Sequence, residues 1–199
     1  MKRGREPLTA WDGHYVISLN YGALRCVAVS LLKILCFCIS DVAFASQPYT
    51  LTGKVVKVAD GDTITLLVDR EQHRIRLASI DAPETSHGSA EPGQPFGEAA
   101  SKYLASLVAG NTLTLQCFER DHYSREICDV PLQGTTANRL LVQNGFAWAN
   151  QQGGGKYLRD QSLPALQAKA QADKLGLWSE PKPVPPWVWR YQCWKQKQC

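Results

Sequence analysis

Asp60-Gly61-Asp62-Thr63-Ile64-Thr65-Leu66-Leu67-Val68-Asp69-Arg70-Glu71-Gln72-His73-Arg74-Ile75-Arg76-Leu77 holds two turns and two strands in close succession. Asp60-Gly61-Asp62 has turn chemistry, with Gly61 free to take positive φ. Thr63 to Val68 is β-branched and apolar and reads as a strand. Asp69 to Gln72 turns the chain, and Arg74 to Leu77 is the next strand. A period of two puts Arg74 and Arg76 on one face, Ile75 and Leu77 on the other. Arg76 is therefore expected to point away from the core, or into a polar cleft. Upstream, Tyr49 to Val58 alternates loosely and gives a first strand.

Working outward, Ser86 to Pro95 is rich in Gly, Pro and Ser and lacks periodicity, so it is a loop. Ala100, Tyr103, Leu104, Leu107 and Val108 fall at helical spacing, which predicts a helix from Glu98 to Ala109 with Gly110 as its cap. Thr112 to Phe118 and Ile127 to Leu132 read as two strands around a charged turn, hence a hairpin. Thr136 to Asn144 is a second helix. After Gly153-Gly154-Gly155, Ser162 is a good N-cap and Pro164 suits a first turn, so a third helix is expected from there to about Leu175. Early strands and later helices give an α+β fold, with a small closed barrel as the natural way to hide strand edges.

The chain has 199 residues and a formal net charge of +4. Beyond residue 45 there are 17 Lys/Arg against 15 Asp/Glu, too even a balance to infer nucleic-acid binding from charge alone. Lys2, Arg3, Arg5 and Arg25 precede an apolar run from Cys26 to Ile39, followed by Ala43-Phe44-Ala45, which reads as a signal peptide over residues 1–45 and an exported protein. Residues 23–45 alone make a normal signal, and one explanation of the unusual leader is a start codon assigned too far upstream. The run is short for a membrane span and contains Lys33. No stable membrane association is expected after cleavage, and the protein is expected to be a monomer. Four cysteines lie beyond the signal, an even number that suggests two disulfides in an oxidising compartment. Three pairings are possible. The favoured one joins Cys117 to Cys128 across the hairpin, and Cys193 to Cys199.

The acids Asp62, Asp81 and Glu84 sit at or near the ends of these strands, with Arg76 among them and Arg125 in a later loop. Acids that can hold a hard cation and arginines that can grip a phosphate are what metal-assisted phosphodiester cleavage requires. Any one of these residues alone is ordinary turn or surface chemistry. Their joint occurrence is what points to a site.

The motifs Val58-Ala59-Asp60-Gly61-Asp62-Thr63, Ile75-Arg76-Leu77 with Ile80-Asp81-Ala82-Pro83-Glu84-Thr85, and Asp121-His122-Tyr123-Ser124-Arg125 resemble those of the staphylococcal nuclease (thermonuclease) family. Supporting matches are Gln94-Pro95-Phe96-Gly97-Glu98-Ala99, Leu141 to Ala147, and Leu175-Gly176-Leu177-Trp178, so the resemblance spans about Gly53 to Ser179. It implies an OB-fold five-stranded barrel with three helices, in a calcium-dependent nuclease that acts on DNA and RNA and leaves 3′-phosphates. By matching positions it implies calcium ligation by the Asp62 and Asp81 carboxylates and the Ala82 carbonyl. Arg76 and Arg125 would bind the scissile phosphate, Glu84 would act on the attacking water, and Tyr123 would touch a nucleotide phosphate. Ser124 and Glu126 replace glycines that often flank the second arginine, and Cys117 and Cys128 are additions. For the base-stacking aromatic, Trp148 and Tyr157 are the substitutes on offer.

The domain is expected to span residues 46–180, with a Trp/Cys-rich tail over 181–199. Packing onto the barrel is favoured for the tail over stacking of single-stranded bases. His87 and His122 are expected to be incidental loop histidines. The rival to an enzyme is a non-catalytic barrel that binds nucleic acid or protein, and the filled charged positions argue against it.

Overall fold

The computed structural model describes residues 47–199. The signal expectation for residues 1–45 lies outside the described residues. Strands β1 (Tyr49–Asp60), β2 (Thr63–Val68), β3 (Glu71–Leu77), β5 (Thr112–Arg120) and β6 (Glu126–Asp129) close into a barrel in the order β1-β2-β3-β6-β5. All barrel pairs are antiparallel except β3 with β6, which run parallel. This is the expected five-stranded OB-type barrel. One long strand serves two neighbours: the first half of β1 pairs with β5 and the second half with β2, with register shifts at Val55/Lys57 and Val58/Asp60. Such bulges bend and twist a strand, which a small barrel needs in order to close.

Val55, Ile64, Leu66, Ile75, Leu77 and Leu115 fill the core with Cys117 and Cys128 among them. Cys117 lies directly opposite Cys128 in the β5–β6 register, and the two are bonded. Helix α1 (Gly97–Val108) packs Ala100, Leu104 and Val108 into the same core, and α2 (Ala137–Gln143) adds Leu141 and Val142. In α2, the Thr136 hydroxyl accepts from the Arg139 amide at 3.1 Å, a side-chain cap. Helix α3 (Leu163–Ala172) is shorter than expected, because Lys174 turns into the left-handed region before Leu175. Its expected cap differs too: the Ser162 hydroxyl donates to Asp160 at 2.7 Å instead of capping the helix. The expected strand from Ile127 to Leu132 is broken. β6 ends at Asp129, and β7 (Pro131–Leu132) leaves the barrel to pair with β8 (Thr135–Thr136).

Two further short strands position the site. β4 (Ile80–Asp81) pairs with β9 (Trp148–Ala149), placing Asp81 opposite Trp148. Buried Asn138 holds the turn before it, donating to the Ala78 carbonyl at 2.9 Å and accepting from the Val130 amide at 3.0 Å. The tail forms a helical turn at Pro186–Trp189 that runs into a π-type turn at Arg190–Lys195. The Trp189 and Trp194 indoles both donate to the Pro92 carbonyl, at 3.2 and 3.0 Å. Lys197 donates to the Ala90 carbonyl at 3.0 Å, and Cys193 is bonded to Cys199. The tail thus clasps the loop that follows Glu84.

Candidate active site

The β1–β2 turn delivers the first acid. Its reason for a glycine differs from the expected one, since Gly61 is not among the residues with positive φ. A Cβ there would lie 2.7 Å from both Ala100 Cβ and Ala82 Cβ. The glycine therefore lets the turn lie against α1 and the Asp81–Glu84 segment. Within the turn, Asp60 Oδ1 accepts from the Asp62 amide at 3.1 Å. Asp62 is 3 % exposed, and its two oxygens face different partners. Oδ2 accepts from the Ala82 amide at 2.9 Å, while Oδ1 accepts from the Thr63 hydroxyl at 3.0 Å and pairs with Arg76.

Strand β3 delivers Arg76 on the face opposite Ile75 and Leu77, as the alternation required. Thr63 is its cross-strand partner. The guanidinium pairs through Nη1 with Asp62 and through Nη2 with Asp81 Oδ1 at 2.8 Å. Asp81 is fully buried. The two acids, though burial opposes it, hold the Arg76 guanidinium firmly protonated. Burial alone would raise the Asp62 pKa, but Arg76 and the Ala82 amide outweigh it and lower it.

Glu84 reaches the same cluster from the next loop. A Cβ on Gly97 would lie 2.0 Å from the Glu84 carbonyl oxygen, so the glycine lets this loop seat on the first turn of α1. Gln94 stitches it further, its amide donating to the Glu84 carbonyl at 2.8 Å and its side chain to the Val184 carbonyl in the tail. Burial first, and the charge of Asp62 second, push the Glu84 carboxyl up to about 7, with Arg190 pulling the other way. The same two causes push Asp60 up to about 8. Oxygens of Asp60 and Glu84 and a ring nitrogen of His87 lie within 4.8 Å of one another.

The structure therefore brings together Asp62, Asp81, Arg76 and Glu84, with Ala82 between them. Arg125 and Tyr123 lie in the β5–β6 turn, just ahead of β6. In the parallel β3–β6 register Arg76 faces Ile127, and Arg125 stands two residues before it, outside the strand. Its guanidinium pairs with Asp121, with Nε 2.9 Å from Oδ2, and also lies 5.3 Å from the Tyr123 ring centroid. Tyr123 is 63 % exposed. Ser124 takes the left-handed conformation (φ 59°) that a glycine adopts more readily. Glu126, at the other non-glycine position, is buried and accepts from Tyr49 and Arg120. Trp148 is packed against Trp178 and Trp187, and so is not a free stacking surface, whereas Tyr157 is 49 % exposed.

Sequence reasoning missed three members of the site. Asp60 looked like turn chemistry, and His87 like an incidental loop histidine. The third is Arg190, whose guanidinium lies on Asp81 and Glu84. A basic residue among aromatics was the available signal, but no local pattern links position 190 to position 81.

Chemically, four carboxylates (Asp60, Asp62, Asp81, Glu84) converge with two guanidiniums lying among them. Hard oxygen donors at this density fit a hard divalent cation.

The profile of the family described as "Staphylococcal nuclease homologue" matches residues 74–180. A protein named "Uncharacterized endonuclease" from Escherichia coli O157:H7 is 43 % identical over 141 residues, covering 70 % of this chain and 85 % of that one. "Micrococcal nuclease" from Shigella flexneri is 37 % identical over 177 residues, covering 84 % and 92 %. "Endonuclease Htp3" from Saprolegnia parasitica is 30 % identical over 164 residues, covering 72 % and 77 %.

Proposed function

The chain belongs to the staphylococcal nuclease homologue family, and from that premise we propose that it is an exported, calcium-dependent nuclease that hydrolyses phosphodiester bonds of DNA and RNA and leaves 3′-phosphates. The observation that carries this reading is the bridge of Arg76 across two buried carboxylates, Asp62 and Asp81, with Glu84 beside them. A nuclease needs a cation and phosphate-binding donors on one side of the reacting phosphorus and a proton acceptor on the water side.

Asp62 and Asp81 are the carboxylates that would hold the ion, with the Ala82 carbonyl as a third oxygen and Asp60 and Glu84 close by. All are hard oxygen donors, which favours calcium or magnesium over softer metals. Export into a calcium-rich exterior favours calcium. When bound, the cation polarises a phosphate oxygen and offsets the negative charge that builds in the transition state.

Arg76 supplies a planar fork of N–H donors beside that position, matched to phosphate oxygens in a way a lysine is not. By the family motif Arg125 would be the second donor, and the exposed Tyr123 would touch a neighbouring phosphate. Glu84 orients the attacking water and takes its proton. With its carboxyl near pH 7 it is poised to do so at neutral pH.

Two disulfides, Cys117–Cys128 and Cys193–Cys199, support export, since such bonds persist in oxidising compartments. Among the described residues no helix is long and apolar enough to cross a membrane.

The test is digestion of DNA and RNA oligonucleotides in calcium and in chelator, with product ends read by phosphatase sensitivity. The reading expects cleavage of both polymers only in calcium, with phosphatase-sensitive 3′ ends. Binding without cutting overturns it.

A further inference from the structure

Arg190 approaches the acid cluster from outside the family match, which ends at residue 180. Its Nη2 lies 2.7 Å from Asp81 Oδ2, and its Nη1 lies 3.1 Å from Asp81 Oδ1 and pairs with Glu84. Asp81 Oδ1 also takes Arg76 at 2.8 Å. A carboxylate has about four lone-pair sites, and guanidinium N–H groups fill three of those on Asp81. A hard cation needs such lone pairs at close range, and it carries the same sign of charge as the group now holding them.

The placement is built into the fold. On one side of Arg190, Trp189 is tied to the Pro92 carbonyl. On the other, Trp194 is tied to the same carbonyl, and buried Cys193 is bonded to Cys199. These anchors fix the backbone of the π-type turn over the loop after Glu84. The Arg190 side chain itself is 32 % exposed, so it has a solvent-facing path by which to leave the acids. The backbone stays where it is.

We infer that Arg190 is a built-in competitor for the cation: its guanidinium occupies Asp81 and Glu84, and a divalent ion binds by exchange with it. This rests on the reading of Asp81 as a cation ligand. Arg190 thereby sets the calcium concentration at which the site loads, and keeps two acids paired when no ion is there. Arg76 also touches Asp81, but it belongs to the barrel and takes Asp62 as well. Arg190 is the partner that can be removed without opening the core.

The experiment is calorimetric titration of calcium into the full chain and into Arg190→Gln and Arg190→Lys variants, with near-UV circular dichroism as the check on folding. Removing a like charge in direct contact with a ligand carboxylate should tighten calcium binding by about 10- to 100-fold in Arg190→Gln. Arg190→Lys should give a smaller gain, because an ammonium cannot hold both Asp81 oxygens and Glu84 together. It also keeps the charge should the glutamine variant fail to fold. Unchanged or weaker affinity in a folded variant overturns the inference and leaves the calcium reading standing. No calcium binding by any of the three proteins overturns the calcium reading and this inference with it.

Discussion

Replacing Arg76 separates its charge from its shape. In Arg76→Met the side chain keeps its stem and loses the guanidinium, which leaves Asp62 (3 % exposed) and Asp81 (fully buried) without their shared partner. Breaking a buried pair from one side costs about 3–5 kcal/mol. In a domain of this size each kcal/mol lowers the midpoint by roughly 2–4 °C, so the cation-free variant should melt roughly 6–20 °C below the parent. Arg76→Lys keeps the charge, but one ammonium cannot reach Asp62, Asp81 and the Ile80 carbonyl as the fork does. It forfeits one charged hydrogen bond, about 1.5–3 kcal/mol, and folds. Its turnover should nonetheless fall by about 10²–10³, the cost of removing one donor aimed at developing charge. The assays are urea denaturation in chelator and initial rates on a plasmid in calcium. A loss of under about 1 kcal/mol in the methionine variant, or full turnover in the lysine variant, rules out a buried charge bridge that also grips the phosphate.

Cation-free stability should depend on pH with a defined sign. The Asp60 and Glu84 carboxyls are raised, to about 8 and about 7, from ordinary values of 3.8 and 4.5, so the folded state keeps protons that the unfolded chain has released. Stability in chelator should therefore fall as pH rises from about 4 to 8, and calcium should abolish the fall; urea midpoints that rise across this window contradict the assignment. The lowered Asp62 acts oppositely, its contribution being lost in acid, below the ordinary carboxyl range. Changing Cys117 and Cys128 together to serine opens a loop of sequence separation 11, and should cost about 2–3 kcal/mol in the same denaturation assay. Gly61→Ala forces a Cβ to within 2.7 Å of two others. It should cost about 1–3 kcal/mol by overpacking, with turnover falling as the Asp62 turn is pushed off α1.

Much of this architecture was legible because barrel strands carry local signals. β2 reads from Thr63 to Val68 as it forms, since turn residues flank a run of β-branched and apolar residues. β3 begins at Glu71, ahead of the expected Arg74. Glu71, Gln72 and His73 have no apolar alternation, and pairing to Val68, Leu67 and Leu66 is what makes them strand. The break at Val130 is likewise tertiary: its amide is taken by the Asn138 side chain, which diverts the chain from β6. In the site, Asp62, Arg76, Asp81 and Glu84 stand in two short motifs, so sequence proximity announced them. Gly61 carries turn chemistry in the sequence, but its constraint is a neighbour on α1, Ala100, 39 positions later in the chain. Arg190 lay beyond such reasoning, because the disulfide-closed tail brings it to Asp81 across 109 positions.

Whether the acids around Asp62 and Asp81 hold a calcium ion for phosphodiester hydrolysis is decided by the calcium dependence of plasmid cleavage by the parent protein and by Asp81→Asn. If they do, the rate saturates with calcium, vanishes in chelator, and is lost in the variant at any calcium level that saturates the parent. Cleavage that survives chelator, or that proceeds at the parent's rate in Asp81→Asn, would contradict a calcium site there.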